Sequence, residues 1–198
     1  QQAREYGWQD SLGDIDWTRL KTLRDNVVSN LESMHQRNLA KAGVTLFEGH
    51  AQFVSKRKVK VGEDILEADK IVIATGARPV MPRVPGIEHC ISSDGFWDLE
   101  EQPKRATVVG GGYIGLELAC AMQGLGTQTT LIVRSQLLRT FDQEIAEHLE
   151  VSLKKTGMQV IRGAALEEIQ KENGDILVSY KTTDGDIHTV SSDAVALI

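Results

Sequence analysis

Six consecutive residues near the middle of the chain have types and spacing that could do chemistry. Gly110-Gly111-Gly112-Tyr113-Ile114-Gly115 fits the pattern G-x-G-x-x-G. The apolar run Ala106–Val109 before it reads as a strand, and the pattern after it opens a helix at Tyr113. In that setting the spacing suits a dinucleotide. Gly110 permits a tight turn, Gly112 lets the backbone approach a pyrophosphate, and Gly115 lets the helix pack closely on the strand. The amides of the helix N-terminus then face the anion, so Gly110, Gly111, Gly112, Tyr113, Ile114 and Gly115 are all candidate cofactor-binding residues. The competing reading is a glycine-rich turn that binds nothing.

Which dinucleotide is bound is decided at the end of the following strand. NAD sites usually place Asp or Glu there, about 20 residues on, to hold the ribose 2′-hydroxyl. This chain has Val133 at that place, followed by Arg134 and, shortly after, Arg139. An apolar side chain cannot bind the diol, whereas two guanidiniums suit a 2′-phosphate dianion. The expected cofactor is therefore NADPH, with two solvated surface arginines as the alternative. The other chemical side chains form no pattern. Cys90 and Cys120 stand far apart without a C-x-x-C, and the five histidines are scattered, so no metal site is expected.

The elements around these residues follow from periodicity. Asp16 can cap a helix from Trp17, with Leu20, Leu23, Val27, Leu31 and Met34 on one stripe and Gly43 as its stop. Short strands are expected at Val44–Phe47 and Ala51–Val54, and a hairpin at Val59–Val61 and Ile65–Leu66. Lys56, Arg57, Lys58 and Lys60 read as the solvated side of that hairpin. Ile71–Ala74 reads as a strand buried on both faces. Pro79, Pro82 and Pro85 mark a connection. From Arg105 the order is strand, helix, strand (Thr129–Val133), helix (Gln143–Thr156), strand (Met158–Ile161). A meander then turns at Asp184-Gly185, between Ile176–Tyr180 and His188–Val190. This implies an α/β fold, a parallel sheet with helices on its faces. The division expected is residues 1–77, a connection at 78–104, and residues 105–198.

Composition sets the outer bounds. The 198 residues are 41% hydrophobic and 25% charged, which is ordinary for a globular chain and rules out a disordered or collagen-like one. With 22 Lys+Arg against 28 Asp+Glu the net charge is −6, which argues against a general nucleic-acid binder. No apolar run is long enough to span a bilayer. No signal-peptide pattern is visible, so a cytoplasmic location is expected, an organellar form being the alternative. The chain opens without Met and stops in Ala194-Val195-Ala196-Leu197-Ile198, which reads as the middle of a buried strand. A piece of a longer polypeptide is expected.

Taken together, seven segments resemble the FAD-dependent pyridine nucleotide–disulfide oxidoreductases. They are Tyr6-Gly7-Trp8, the helix Trp17–Leu39, Glu48–Phe53, Ile73–Gly76, Ile91–Phe96, Gly110–Glu117 and Arg134–Asp142. The resemblance implies a Rossmann-like NADPH-binding domain over 105–198, cut short at its C-terminus, joined to the C-terminal half of an FAD-binding domain over 1–77. It implies FAD beside NADPH, with Ala51 near the adenine and Thr75 and Gly76 lining the flavin site. Tyr113 resembles the family's gate over the nicotinamide pocket, and Glu117 the carboxylate that meets a flavin-side lysine. Each of these residues has ordinary packing or surface placement as its alternative. The family's redox cysteines and catalytic histidine match nothing in these residues, so no catalytic residue is assigned here and the isolated chain is expected to be inactive.

Within the family the pattern is nearest to the members that reduce glutathione disulfide, which act as homodimers. Three features depart from it. Gly115 is commonly alanine in NADPH users, Arg134 and Arg139 are one residue closer than in many glutathione-reducing members, and Val27 and His35 replace substrate-facing tyrosines. The Arg134–Arg139 spacing looks more like the large thioredoxin reductases. A thioredoxin-reducing member and a non-catalytic NADPH-binding module are the two alternative readings.

Overall fold

The structure is a computed structural model that describes residues 15–198, so Tyr6-Gly7-Trp8 lies outside the described residues. By its internal contacts the chain forms two compact units. One is Lys21–Arg78, and the other is Pro79–Ile198 with the residues up to Leu20.

Helix α1 spans Trp17–Lys41. Asp16 starts it as expected. Its carboxylate accepts the Arg19 amide at 2.9 Å and its carbonyl the Leu20 amide at 3.0 Å. Gly43, at φ +72°, ends it, and the Val44 amide donates back to the Leu39 carbonyl at 3.0 Å. Strands β1 (Ala51–Ser55), β2 (Lys58–Val61) and β3 (Asp64–Glu67) form an antiparallel sheet in that order. The basic run is its solvated side, with Arg57, Lys58 and Lys60 reaching Asp69, Glu67 and Glu63.

Two expected strands are absent. Val44–Phe47 and Ile71–Ala74 carry no regular structure, and Val72 and Ile73 are 87% and 71% exposed rather than buried. A strand exists only where a neighbour completes its backbone hydrogen bonds. Among the described residues neither segment has a ladder partner, so the apolar runs do not become strands.

In the second unit a 3-10 turn at Ile87–His89 and the short helix α2 (Ser93–Asp98) lead into the sheet. Phe96 of α2 is buried against Ala106, Leu118 and Met122, and Ile91 bridges to Ala196. Then follow β4 (Arg105–Val109), α3 (Tyr113–Gly124), β5 (Gln128–Val133), α4 (Gln143–Lys155) and β6 (Gln159–Arg162). The chain continues as β7 (Ala164–Glu172), β8 (Asp175–Thr182), β9 (Ile187–Ser192) and β10 (Ala194–Leu197). The parallel sheet runs β10-β4-β5-β6, and β7-β8-β9 form an antiparallel meander. The α/β class is as expected, with one correction. The helices cover one face of the parallel sheet, and the meander covers the other.

The alternation of side chains along β4, β5 and β10 produces this layering. Val108, Leu131, Val133 and Ala196 pack with Leu116, Ala119 and Leu153 of the helices. Their neighbours Ile132 and Val195 pack with Ala164, Ile169, Ile176 and Val178 of the meander. Strand β7 was not foreseen. Its Glu167-Glu168 and Gln170-Lys171-Glu172 lack a strand signal, and only its pairing with β8, bulged between Leu166 and Glu168, makes it one.

At the opposite end of β4 from the glycine turn, Arg105 ties this strand to β8, β9 and the residue that precedes β10. Its guanidinium donates to Asp175 at 2.8 Å, Asp193 at 2.6 Å and Ser191 at 3.0 Å. Hydrogen bonds from Arg105, then Ser191, hold the Asp175 carboxyl below its usual range. Burial pushes Asp193 up, but its bonds from Arg105 outweigh that and lower it too. Both carboxyls therefore add stability that is complete above about pH 4 and is lost as pH falls through their folded values. Arg105→Met is expected to lower the thermal midpoint by a few degrees at pH 7. That gap between variant and parent should close on acidification to about pH 2. A gap that is constant across this range would show that the clamp is not ionic.

Candidate dinucleotide-binding site

The parallel strands bring two loops to one end of the sheet. The first leaves β4 at Gly110. Here the sheet order turns back, with β10 on one side of β4 and β5 on the other, the place where open α/β sheets leave a crevice. The Gly110 amide donates to Ile132 and the Ile198 amide to Val109, both at 3.0 Å. Gly110 has φ +146°, and a Cβ built on it would lie 1.8 Å from the Ile198 carbonyl oxygen. No side chain fits there. A Cβ on Gly115 would lie 2.7 Å from the Gly110 carbonyl oxygen, so this glycine does bring α3 onto the turn. A Cβ on Gly111 would meet Val133 Cγ1 at 2.6 Å, a packing constraint that its variable place in the motif does not announce.

Gly112 differs from these three. It is the N-cap of α3 at an ordinary φ of −76°, no side chain caps the helix, and a Cβ there meets nothing within 4 Å. The first-turn amides of a helix have no partner within it. They open here onto free space over a bare backbone, which fits an anion. Tyr113, 56% exposed, and Glu117, also exposed, stand four residues apart on one side of α3. Ile114 is exposed, while Gly115 is buried.

The second loop leaves β5 after Val133, which is buried in the core and has no polar group to offer. Arg134 and Arg139 are exposed, and among the described residues neither forms an ion pair or side-chain hydrogen bond. Between them Leu137 is 2% exposed and packs in the helix-side core. The Leu138 amide donates to the Gly111 carbonyl at 2.7 Å, joining the two loops. Asp142 closes the second loop by capping α4, its Oδ1 accepting the Glu144 and Ile145 amides at 3.0 and 3.2 Å. The anchoring role of Leu137 and Leu138 was missed, though an apolar pair between two arginines is its visible trace.

The flavin candidates belong to the other unit. Ala51 opens β1, and Thr75 and Gly76 lie in the segment without regular structure, all three exposed. Gly76 has φ +70° with nothing within 4 Å of its Cβ position. No hydrogen bond joins the three to one another among the described residues. The thiols are poor nucleophiles. Burial, helped by Glu88, pushes Cys90 up to about 12, and burial also raises Cys120. Among the described residues no cluster of His, Cys, Asp or Glu could hold a metal. No described helix is long and apolar enough to cross a membrane.

A profile of the pyridine nucleotide-disulphide oxidoreductases matches residues 4–197. The chain belongs to that family. It is 40% identical to a glutathione reductase of Yarrowia lipolytica, over 98% of this chain and 44% of that protein. It is 36% identical to a mercuric reductase of Lysinibacillus sphaericus, over 94% of this chain and 35% of that one. The solved structure of RclA from Escherichia coli, an HOCl-induced flavoprotein disulfide reductase, superposes with a TM-score of 0.83 at 27% identity, over 92% of this chain and 42% of that one. The chain thus spans less than half the length of these relatives.

The glycines separate the fold from the ligand. Gly110→Ala is expected to prevent folding of this unit, because the clash is with the backbone of Ile198 and not with a side chain that could move aside. Gly112→Ala should fold, losing about 1 kcal/mol at most as a poorer N-cap, yet weaken nucleotide binding more than tenfold, a loss of over about 1.4 kcal/mol. Circular dichroism with calorimetric titration of NADPH checks both. Unchanged binding by the Gly112 variant would remove the pyrophosphate from this turn.

Proposed function

We propose that the chain is the NADPH-binding part, and a portion of the FAD-binding part, of a flavoprotein disulfide reductase. The observation that carries the reading is the pair Arg134 and Arg139. Among the described residues they stand unpaired beside a strand end that has no acid, on the loop bonded to the glycine turn. Such a pair can hold a 2′-phosphate by charge-assisted, bidentate bonds, and the first-turn amides of α3 would hold the pyrophosphate.

The flavin, when bound, supplies the two-electron chemistry between nicotinamide and dithiol. This chain's own residues would bind and orient. Tyr113 would cover the nicotinamide pocket, and Glu117, on the same side of α3, would meet the nicotinamide and a flavin-side lysine. Ala51, Thr75 and Gly76 would form part of the flavin wall. The exposure of Val72, Ile73 and the α1 stripe supports placing Lys21–Arg78 within a larger flavin-binding domain that covers them. Glutathione disulfide is the proposed substrate of the intact protein, and a homodimer its proposed state. Identity to glutathione reductases at 40% supports both. The similarity to a mercuric reductase and to RclA makes the acceptor the open half of the reading.

Replacing both arginines by alanine in the intact protein is expected to raise the NADPH KM more than tenfold while the NADH KM moves less than about twofold, since each lost charged bond contributes about 1.5–3 kcal/mol. Steady-state kinetics with the two cofactors checks this. An equal effect on both would sink the NADPH assignment.

A further inference from the structure

The arginine loop contains a second contact that the NADPH reading alone does not require. Leu138 precedes Arg139 and has φ +48°, the left-handed region that residues with a Cβ rarely adopt. Its backbone is held on both sides. Its amide donates to Gly111 at 2.7 Å, and its carbonyl accepts the Phe141 amide at 2.8 Å. The carbonyl also accepts a bond from Gln143 Nε2 at 3.2 Å, and the same nitrogen donates to the Phe141 carbonyl at 3.0 Å. One side-chain amide thus spans the turn Leu138–Phe141, which contains Arg139.

We propose that Gln143 is a positioning residue for cofactor choice, a staple that fixes Arg139 against the glycine turn. The inference rests on the NADPH reading above. Gln143 is well placed for this because it does not move with the loop. It is the first residue of α4, whose N-terminus Asp142 caps and whose Leu153 is packed in the helix-side core. Rigidity therefore passes from α4 through the Gln143 amide to the carbonyls on either side of Arg139. Leu138 then carries it to Gly111 and the pyrophosphate turn. An arginine whose backbone is already in place loses less freedom when the phosphate arrives, so its bonds count more fully toward affinity. NADH has no 2′-phosphate, and its binding gains nothing from a fixed Arg139.

The test compares Gln143→Met with the Arg134→Ala/Arg139→Ala double variant in the intact protein, by initial rates with NADPH and with NADH. Met matches Gln in length and helix propensity but has no donor. Gln143→Met is expected to raise the NADPH KM by about fivefold with kcat unchanged, and to leave the NADH KM within about twofold. Gln143→Asn, which keeps the amide but is one methylene short of both carbonyls, should fall between. If Gln143→Met leaves the NADPH KM unchanged, or weakens both cofactors equally, the positioning role is overturned, provided the double variant still loses its preference for NADPH. If the double variant keeps that preference, the NADPH reading fails and the inference fails with it.

Discussion

The unit that holds the glycine turn depends on one close approach, that of the Gly110 backbone to the carbonyl of Ile198. The distance leaves no volume for a side chain. Because β4 and β10 meet there without one, the sheet can place a new strand beside its first strand while α3 leaves from the same point. The crevice, the uncapped helix start and the open space over Gly112 all follow from it. Gly115 repeats the constraint one turn into the helix, where the neighbour is again the Gly110 carbonyl. Glycines at these positions are first a requirement of backbone packing. Gly112, with nothing within 4 Å of its Cβ position, is under no such packing constraint.

The layers on either side of the sheet explain why this end is rigid enough to be a site. Each strand sends alternate residues to two different cores, so neither face can slip without exposing the other. Thr107 shows how strict this is. It points to the meander side, where its hydroxyl meets Ser192 at 2.6 Å in a fully buried pair. A polar pair there is tolerable because each hydroxyl satisfies the other. The opposite end is tied by Arg105, so the carboxyl end of the sheet is left for binding.

Much of this was legible in the residues. The parallel unit is read from apolar runs that alternate with helical periodicity, and each of its central elements stands within a residue or two of its expected place. The glycine spacing and the missing acid at Val133 point to the same end of the same sheet. What was not legible depended on partners remote in sequence. Ile71–Ala74 has the composition of a buried strand, but composition cannot supply a neighbour. The reverse holds for β7, whose glutamates and lysine argue against a strand until β8 is beside it. The meander is legible from its turn at Asp184-Gly185, but its place on the second face is not. Periodicity shows that a strand has two apolar sides, and it does not say whether a helix or a sheet covers each.

The arginines give the argument its direction toward a ligand. Arg105 and Arg162, also on strands of this sheet, are both neutralised, the first by Asp175 and Asp193, the second by Glu150. Glu150 is itself buried and is also bonded to Lys154, so an acid was placed on α4 where a cation needed one. The chain has six more acidic than basic residues, and acids are not scarce. Among the described residues Arg134 and Arg139 stand without partners, on a loop whose backbone is fastened at Leu137, Leu138 and Asp142. Under the NADPH proposal these two guanidiniums are the groups left to take up the 2′-phosphate.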